Sequence, residues 1–356
     1  MKAIGYVKPS SIDQTDALMD IEIETPVASG HDLLIQVNAI SVNPVDTKIR
    51  NNVEPLAGEY KILGWDGVGE VIAKGELVES FNIGDQVWYA GDITRAGTNA
   101  QYQLVDERIV GKKPQILSNT QAAALPLTAI TAWELLFDRL GFQLNLANSE
   151  YSQTSTIDRD FTAKHKPQEH ILIIGAAGGV GSILVQLAAK LTSAKVIATA
   201  SRPESQAWVK SLGADYVINH HQPLLEQLNT LGINEVSHCI SLTHTDQHFE
   251  QIVAALAPQG KLALIDDPST ALDIMQLKKK SISLHWELMF TRSMFNTWDM
   301  QKQQELLNQL SELVDQGVIK TTLGEHYGEI NAKNLCRAHA HLESNKAVGK
   351  IVLEGF

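Results

Sequence analysis

Cysteine is nearly absent: only Cys239 and Cys336 occur in 356 residues. That excludes a disulfide framework or a four-cysteine metal lobe, and points to a reducing compartment. Positive charge is also scarce, with 29 Lys and Arg against 41 Asp and Glu and a net charge of −12. A chain this acidic has no long-range attraction for nucleic acid or an anionic membrane surface, so neither is expected as a partner. Long apolar runs are missing too. The N-terminal MKAIGYVKPSSIDQTD has no apolar core of signal-peptide length, and the stretch 171–189 is broken by glycines, Ser182 and Gln186. These absences predict a soluble, cytoplasmic protein. What is present, 44% apolar and 20% charged residues, is ordinary globular composition, and the length suggests two domains.

The first stretch reads as strands and turns. Residues 32–39 (DLLIQVNA), 67–72 (GVGEVI) and 84–89 (GDQVWY) are apolar or β-branched runs bounded by turn formers, which predicts a β-rich, partly closed sheet. Near Pro126 the pattern turns helical, with Trp133, Leu136, Phe137 and Leu140 on one face. Residues 145–167 are polar and Ser/Thr-rich, and read as a surface insertion. Strands and helices then alternate: strands 170–175, 195–200, 216–219, 236–240 and 261–266, helices 180–191, 203–212, 222–231 and 248–256. That alternation predicts a doubly wound parallel sheet in an α/β chain. A further strand at 281–286, a helix carrying Leu306, Leu307, Leu310, Leu313 and Val314 on one face, and a tail strand 350–354 complete the series. No solenoid repeat is visible.

The sharpest motif is the turn Gly175-Ala176-Ala177-Gly178-Gly179-Val180-Gly181 between a buried strand and an apolar helix. That context is what a dinucleotide fingerprint requires. Gly178 lets the main chain approach a pyrophosphate, Gly181 lets the helix pack on its strand, and the helix N-terminus offers N–H groups to the anion. Ala176 replaces the usual first glycine. At the end of the next strand an NAD site needs an acidic side chain for the ribose 2′-hydroxyl. Ala200 stands there instead, followed by Ser201 and Arg202, which suits the 2′-phosphate of NADPH. His220, after the following strand, is a further phosphate contact in this reading; the alternative for Arg202 is a solvated helix-start residue.

With these segments in view the chain resembles the medium-chain dehydrogenase/reductase superfamily, specifically its quinone oxidoreductase branch and the bacterial zinc-type alcohol dehydrogenase-like proteins. The likeness rests on Val42-Asn43-Pro44-Val45-Asp46, 63–71 (LGWDGVGEV), 84–87 (GDQV), 122–133 (AAALPLTAITAW), the glycine turn and 349–353 (GKIVL), which in order span nearly the whole chain. It implies a GroES-like catalytic domain (1–126 and 291–356) and a Rossmann NADPH-binding domain (127–290), with the active site in the cleft between them. It also implies a homodimer through 281–290, the alternative being a strand buried within the monomer.

Zinc members of the superfamily hold their metal with cysteine and histidine. Here Asn43 stands at the first cysteine position and Trp65 at the histidine position, followed by Asp66, so no metal ligand set is expected. His244 and His248, four apart, lack a third partner. Without a Lewis acid, reduction of a quinone or α,β-unsaturated carbonyl fits better than alcohol oxidation. The resemblance places Asn43 and Asp46 in the cleft and Thr128 near the nicotinamide. Asn43 is expected to orient substrate or donate to an oxyanion; Asp46 either fixes its turn, orders a water or caps a helix. Lys350 either reaches the cofactor or is a solvated strand-end lysine. Rival functions are an enoyl-thioester reductase, with the basic run Lys278-Lys279-Lys280 binding carrier phosphates, a zinc-dependent alcohol dehydrogenase, and a non-enzymatic, crystallin-like NADPH-binding protein.

Overall fold

The computed structural model describes residues 1–145 and 168–356. The sequence-predicted insertion 145–167 therefore lies, apart from Asn145, outside the described residues. The chain divides into two units, Met1–Thr131 with Leu288–Phe356, and Ala132–Glu287.

The first unit begins with eight strands: β1 (Lys2–Tyr6), β2 (Met19–Glu22), β3 (Asp32–Val42), β4 (Lys61–Ile62), β5 (Gly67–Lys74), β6 (Gln86–Tyr89), β7 (Tyr102–Asp106) and β8 (Val110–Lys112). The long β3 is the spine of this unit. It pairs antiparallel with β5 and with β7, and its side chains Leu33, Ile35, Val37 and Ala39 are all buried. Gly69 of β5 is required by that pairing, since a Cβ there would meet the Gln36 carbonyl oxygen at 2.1 Å. At the end of β3 the chain turns into the helix Pro44–Asn52, where proline at the first helical position fits because its missing N–H would have had no helical acceptor.

The second unit holds six parallel strands: β9 (His170–Ile174), β10 (Lys195–Thr199), β11 (Tyr216–Ile218), β12 (Val236–Ser241), β13 (Leu256–Leu264) and β14 (Ser283–Trp286). Their order, β11-β10-β9-β12-β13-β14, reverses direction between β9 and β12, so the sheet is doubly wound and its crevice lies at the carboxyl ends of those two strands. The strands are continuous apolar runs because helices cover both faces; Ile171, Leu172 and Ile173 are completely buried.

Three local readings are corrected. The 133–140 segment continues the helix Pro126–Trp133 as a π-helix, Glu134–Arg139, in which Leu140 donates back to the Leu135 carbonyl at 3.0 Å. The helix read from 248 begins at Thr245, because Asp266 accepts its N–H at 2.9 Å and so caps that end. Strand β13 starts at Leu256 rather than 261, since Leu256 already pairs with Val236 across a bulge.

The chain returns to the first unit through the helix Lys302–Asp315, β15 (Leu323–His326), the helix Ala332–Glu343 and β16 (Lys350–Glu354). Strand β16 pairs antiparallel with β3, Ile351 opposite Val42. The divisions fall at 131/132 and 287/288, a few residues from 126/127 and 290/291. Leu127 is tied to the first unit by its N–H bond to Asp66, and Phe290 packs edge-on against Trp65 with centroids 6.1 Å apart. No helix among the described residues is long and apolar enough to cross a membrane.

Candidate active site

In the first unit a polar cluster is built where β3, the turn before β5 and β16 meet. Asn43, Asp46, Asp66 and Lys350 are each at most 3% exposed. The Lys350 ammonium donates to the Val42 carbonyl at 2.9 Å, to Asn43 Oδ1, and to Asp66 Oδ2 at 3.0 Å. Three donors thus meet three acceptors. Asn43 Nδ2 donates to Asp66 Oδ2 at 2.8 Å, and Asp66 Oδ1 accepts the Leu127 N–H at 2.8 Å. Burial pushes the Asp66 carboxyl up, and Lys350 and these hydrogen bonds oppose it. Lys350 is therefore neither a solvated strand-end residue nor a donor with a free N–H.

Asp46 does the capping work considered for it. One oxygen accepts the Asn43 N–H at 2.5 Å, closing the first turn of the helix, and the other accepts the Gly64 N–H at 3.2 Å. Burial, more than any neighbour, pushes its carboxyl up to about 7. Thr128, 2% exposed, donates its hydroxyl to the Leu125 carbonyl at 3.0 Å. A cavity of about 210 Å³ in the same unit, bordered by Asp92, Arg95, Asp106, Ser293, Asn296 and Met300, contains none of the sequence-predicted residues.

In the second unit the glycine turn sits at the crevice of the sheet. Gly175 adopts φ 78°, a left-handed conformation that glycine reaches without strain. At Gly181 a Cβ would lie 2.4 Å from the Ala176 carbonyl oxygen, so glycine there is a packing requirement. At Gly178 the nearest atom to such a Cβ is 3.8 Å away, so the protein itself does not demand glycine and the space in front of the chain stays open. Gly178 is the N-cap of the helix Gly179–Leu191 and has no side chain to cap it, which leaves first-turn N–H groups of Gly179, Val180 and Gly181 for an anion. Ala177 completes the turn; its carbonyl and that of Gly178 accept from Ser182 Oγ, which is itself held by Trp208 Nε1 at 2.8 Å. These residues fit a dinucleotide pyrophosphate.

Ala200, 2% exposed, follows β10, and its N–H bonds the Ile218 carbonyl at 2.9 Å. Ser201 comes next, and Arg202 is the N-cap of the helix Pro203–Ser211. The Arg202 guanidinium lies 3.4 Å from the Glu204 carboxylate, both side chains exposed, an ion pair that water already weakens and a phosphate can displace. His220 Nδ1 meets Thr199 Oγ1 at 3.2 Å.

Sequence reasoning missed two clusters. The partnership of Lys350 with Asp66 left no local signal, since the residues are 284 apart. The second cluster is Glu134 and Glu287, both buried, with Arg139 Nε 2.7 Å from Glu287; burial and the neighbouring Glu134 push Glu287 up to about 9. Its signal was a lone glutamate in the apolar run 129–137. The Lys278-Lys279-Lys280 run is reassigned in part, because Lys280 donates to the Val253, Ala254 and Leu256 carbonyls and caps the helix Thr245–Ala255.

Residues 29–115 match the alcohol dehydrogenase GroES-like domain family, and 212–353 the zinc-binding dehydrogenase family. A zinc-type alcohol dehydrogenase-like protein of Staphylococcus epidermidis is 37% identical over 99% of each chain. The chain belongs to the medium-chain dehydrogenase/reductase superfamily. Members of this superfamily are oxidoreductases that bind nicotinamide cofactors, and the chain's two units are accordingly its GroES-like and Rossmann domains. Among solved structures, a Rhizobium etli protein provisionally named a zinc-dependent alcohol dehydrogenase is 51% identical, with TM-score 0.91, covering 100% of this chain and 98% of that one. The Escherichia coli quinone oxidoreductase in complex with NADPH is 25% identical, with TM-score 0.79 over 99% and 100%.

Zinc takes Cys, His or carboxylate ligands. Around Asn43 this superfamily member offers an amide, the Trp65 indole, which donates to the Asp92 carbonyl, and two carboxylates, Asp66 already paired with an ammonium and Asp46 already accepting two backbone N–H groups. No group of three or more His, Cys, Asp or Glu placed to hold a metal occurs among the described residues. That donor set does not fit zinc.

Proposed function

We propose that the chain is an NADPH-dependent oxidoreductase that delivers hydride to a quinone or α,β-unsaturated carbonyl without a catalytic zinc. The observation that carries the reading is Lys350. Its buried ammonium, bonded to Asn43 and Asp66, occupies the carboxylate that a metal at this cluster would need as a ligand. A conjugated acceptor spreads the incoming negative charge over an enolate or phenolate, so it needs hydrogen-bond donors rather than a Lewis acid.

When bound, the nicotinamide supplies the hydride. The chain's own residues do the rest. The N–H groups of 179–181 would receive the pyrophosphate, and Ser201 and Arg202 the 2′-phosphate. Asp46 fixes the turn that carries Asn43, while Lys350 and Asp66 hold its amide in one orientation. Asn43, buried with its Oδ1 taken by Lys350 and its Nδ2 given to Asp66, therefore fixes this turn and does not offer the free donor expected from the sequence. The open edge of β14, with Ser283 and Trp286 exposed, is the surface on which a second copy would pair. Cytoplasmic location belongs to the same reading.

The test is NADPH oxidation with a panel of quinones and enals, before and after chelation, with zinc content measured in parallel. Turnover that survives chelation, with zinc well below stoichiometric, is expected. No turnover with any acceptor despite tight NADPH binding, or stoichiometric zinc that resists chelation, refutes the reading.

A further inference from the structure

Four of the 12 histidines gather at the carboxyl ends of β11 and β12. His220 and His221 follow β11, His244 closes the turn after β12, and His248 lies in the first turn of the helix Thr245–Ala255. The His220 ring centroid is 4.6 Å from that of His221 and 5.9 Å from that of His248. The cluster reaches the glycine turn from two sides. On one, Thr199 Oγ1 accepts the Gly175 N–H at 3.0 Å and meets His220 Nδ1 at 3.2 Å. On the other, Thr243 packs so near Gly175 that a Cβ there would lie 2.7 Å from its Cγ2, and Thr243 Oγ1 meets His244 Nδ1 at 2.7 Å.

Burial first, then the charges of His221, His248 and His244, push His220 down to about 4. Burial, His244 and His221 push His248 down, opposed by the Asp246 carboxylate. Asp246 is itself engaged with Ser269, and the Nδ1 of His248 is buried without a partner among the described residues. At neutral pH these two imidazoles are held uncharged by burial first and by the neighbouring imidazoles second. An anion placed beside them favours the charged form and reverses that shift.

We propose that His220 and His248, set beside His221 and His244, form a proton-accepting face for the phosphates of a nucleotide held at the glycine turn, so that nucleotide binding draws protons from solution. The proposal rests on the reading of that turn as a dinucleotide site. A nucleotide with a third phosphate should draw more protons than one with two.

The experiment is calorimetric titration with NADP⁺ and with NAD⁺ as probes, between pH 5.5 and 8 in paired buffers of different ionisation enthalpy. It is run on the wild type and on His244→Gln/His248→Gln. Affinity should tighten as pH falls, by up to about tenfold per pH unit for each proton taken up. Net proton uptake should be larger with NADP⁺ than with NAD⁺, and smaller in the double variant. The difference between proteins removes the contribution of the nucleotide's own phosphate. Binding without proton uptake in the wild type, or equal uptake in the variant, overturns the proposal while leaving the cofactor reading intact. Absence of binding by both probes at every pH overturns the cofactor reading and the proposal with it.

Discussion

Replacing Lys350 with methionine removes a buried charge and keeps most of the side-chain volume. Lys350 is 3% exposed and its partner Asp66 is fully buried, so the variant leaves a carboxylate without a counter-charge and two further acceptors, Val42 O and Asn43 Oδ1, without a donor. Breaking a buried ion pair from one side costs about 3–5 kcal/mol. For a unit the size of Met1–Thr131 with Leu288–Phe356, that corresponds to a fall in Tm of roughly 6–20 °C. The loss should shrink in acid. Without Lys350 the folded Asp66 carboxyl rises further above its unfolded value, so the penalty is absent below the unfolded pKa and grows as pH rises above it. The double variant Asp66→Asn/Lys350→Met removes both charges and should recover a large part of the stability. Urea unfolding of the four proteins at pH 5 and pH 8 forms the cycle. A single-variant loss below about 1 kcal/mol, or a double variant as unstable as the sum of the singles, would show that the ion pair does not organise this cluster.

Gly181→Ala places a methyl group within 2.4 Å of the Ala176 backbone and should cost about 1–3 kcal/mol, with weaker nucleotide binding by fluorescence titration. Unchanged affinity would mean that the turn is not shaped for a pyrophosphate. Arg202→Ala should weaken NADPH by roughly 10- to 100-fold, the worth of a charge-assisted hydrogen bond, and NADH by much less. Equal losses would remove the assignment of the 2′-phosphate to Arg202. His339 is fully buried, its ring nitrogens have no partner among the described residues, and burial and then Arg50 push it down to about 3. Its folded pKa is below the unfolded value, so the protein should lose up to about 1.4 kcal/mol per pH unit as pH falls below about 6.5, down to the folded value. His339→Leu should flatten that slope in urea unfolding between pH 4 and 7.

Most of the architecture was legible because it is written in local patterns. The run 171–174, the glycine turn and the apolar face of 179–191 each signal their structure within a window of a few residues, and the strands and helices fall within a few positions of the expected ones. Gly181 was legible for the same reason, since helix and strand meet directly across the turn. Boundaries were less legible where a distant side chain sets them: Asp266 starts a helix at Thr245, and Asp66 holds Leu127 in the first unit.

The sequence alone determined the α/β alternation, the glycine-rich turn between strand and helix, the missing acidic residue at Ala200 after the next strand, and the presence of Asn43 and Trp65 where metal ligands would stand. These are matters of residue type at local spacing, and backbone geometry turns such spacing directly into structure. Only the tertiary structure decided where the buried charge goes. In the sequence Lys350 reads as either a cofactor contact or a solvated strand-end lysine; the pairing of β16 with β3 instead carries its ammonium between Asn43 and Asp66. Burying an ammonium is favourable only with acceptors in place, and those acceptors are assembled by chain segments about three hundred residues apart.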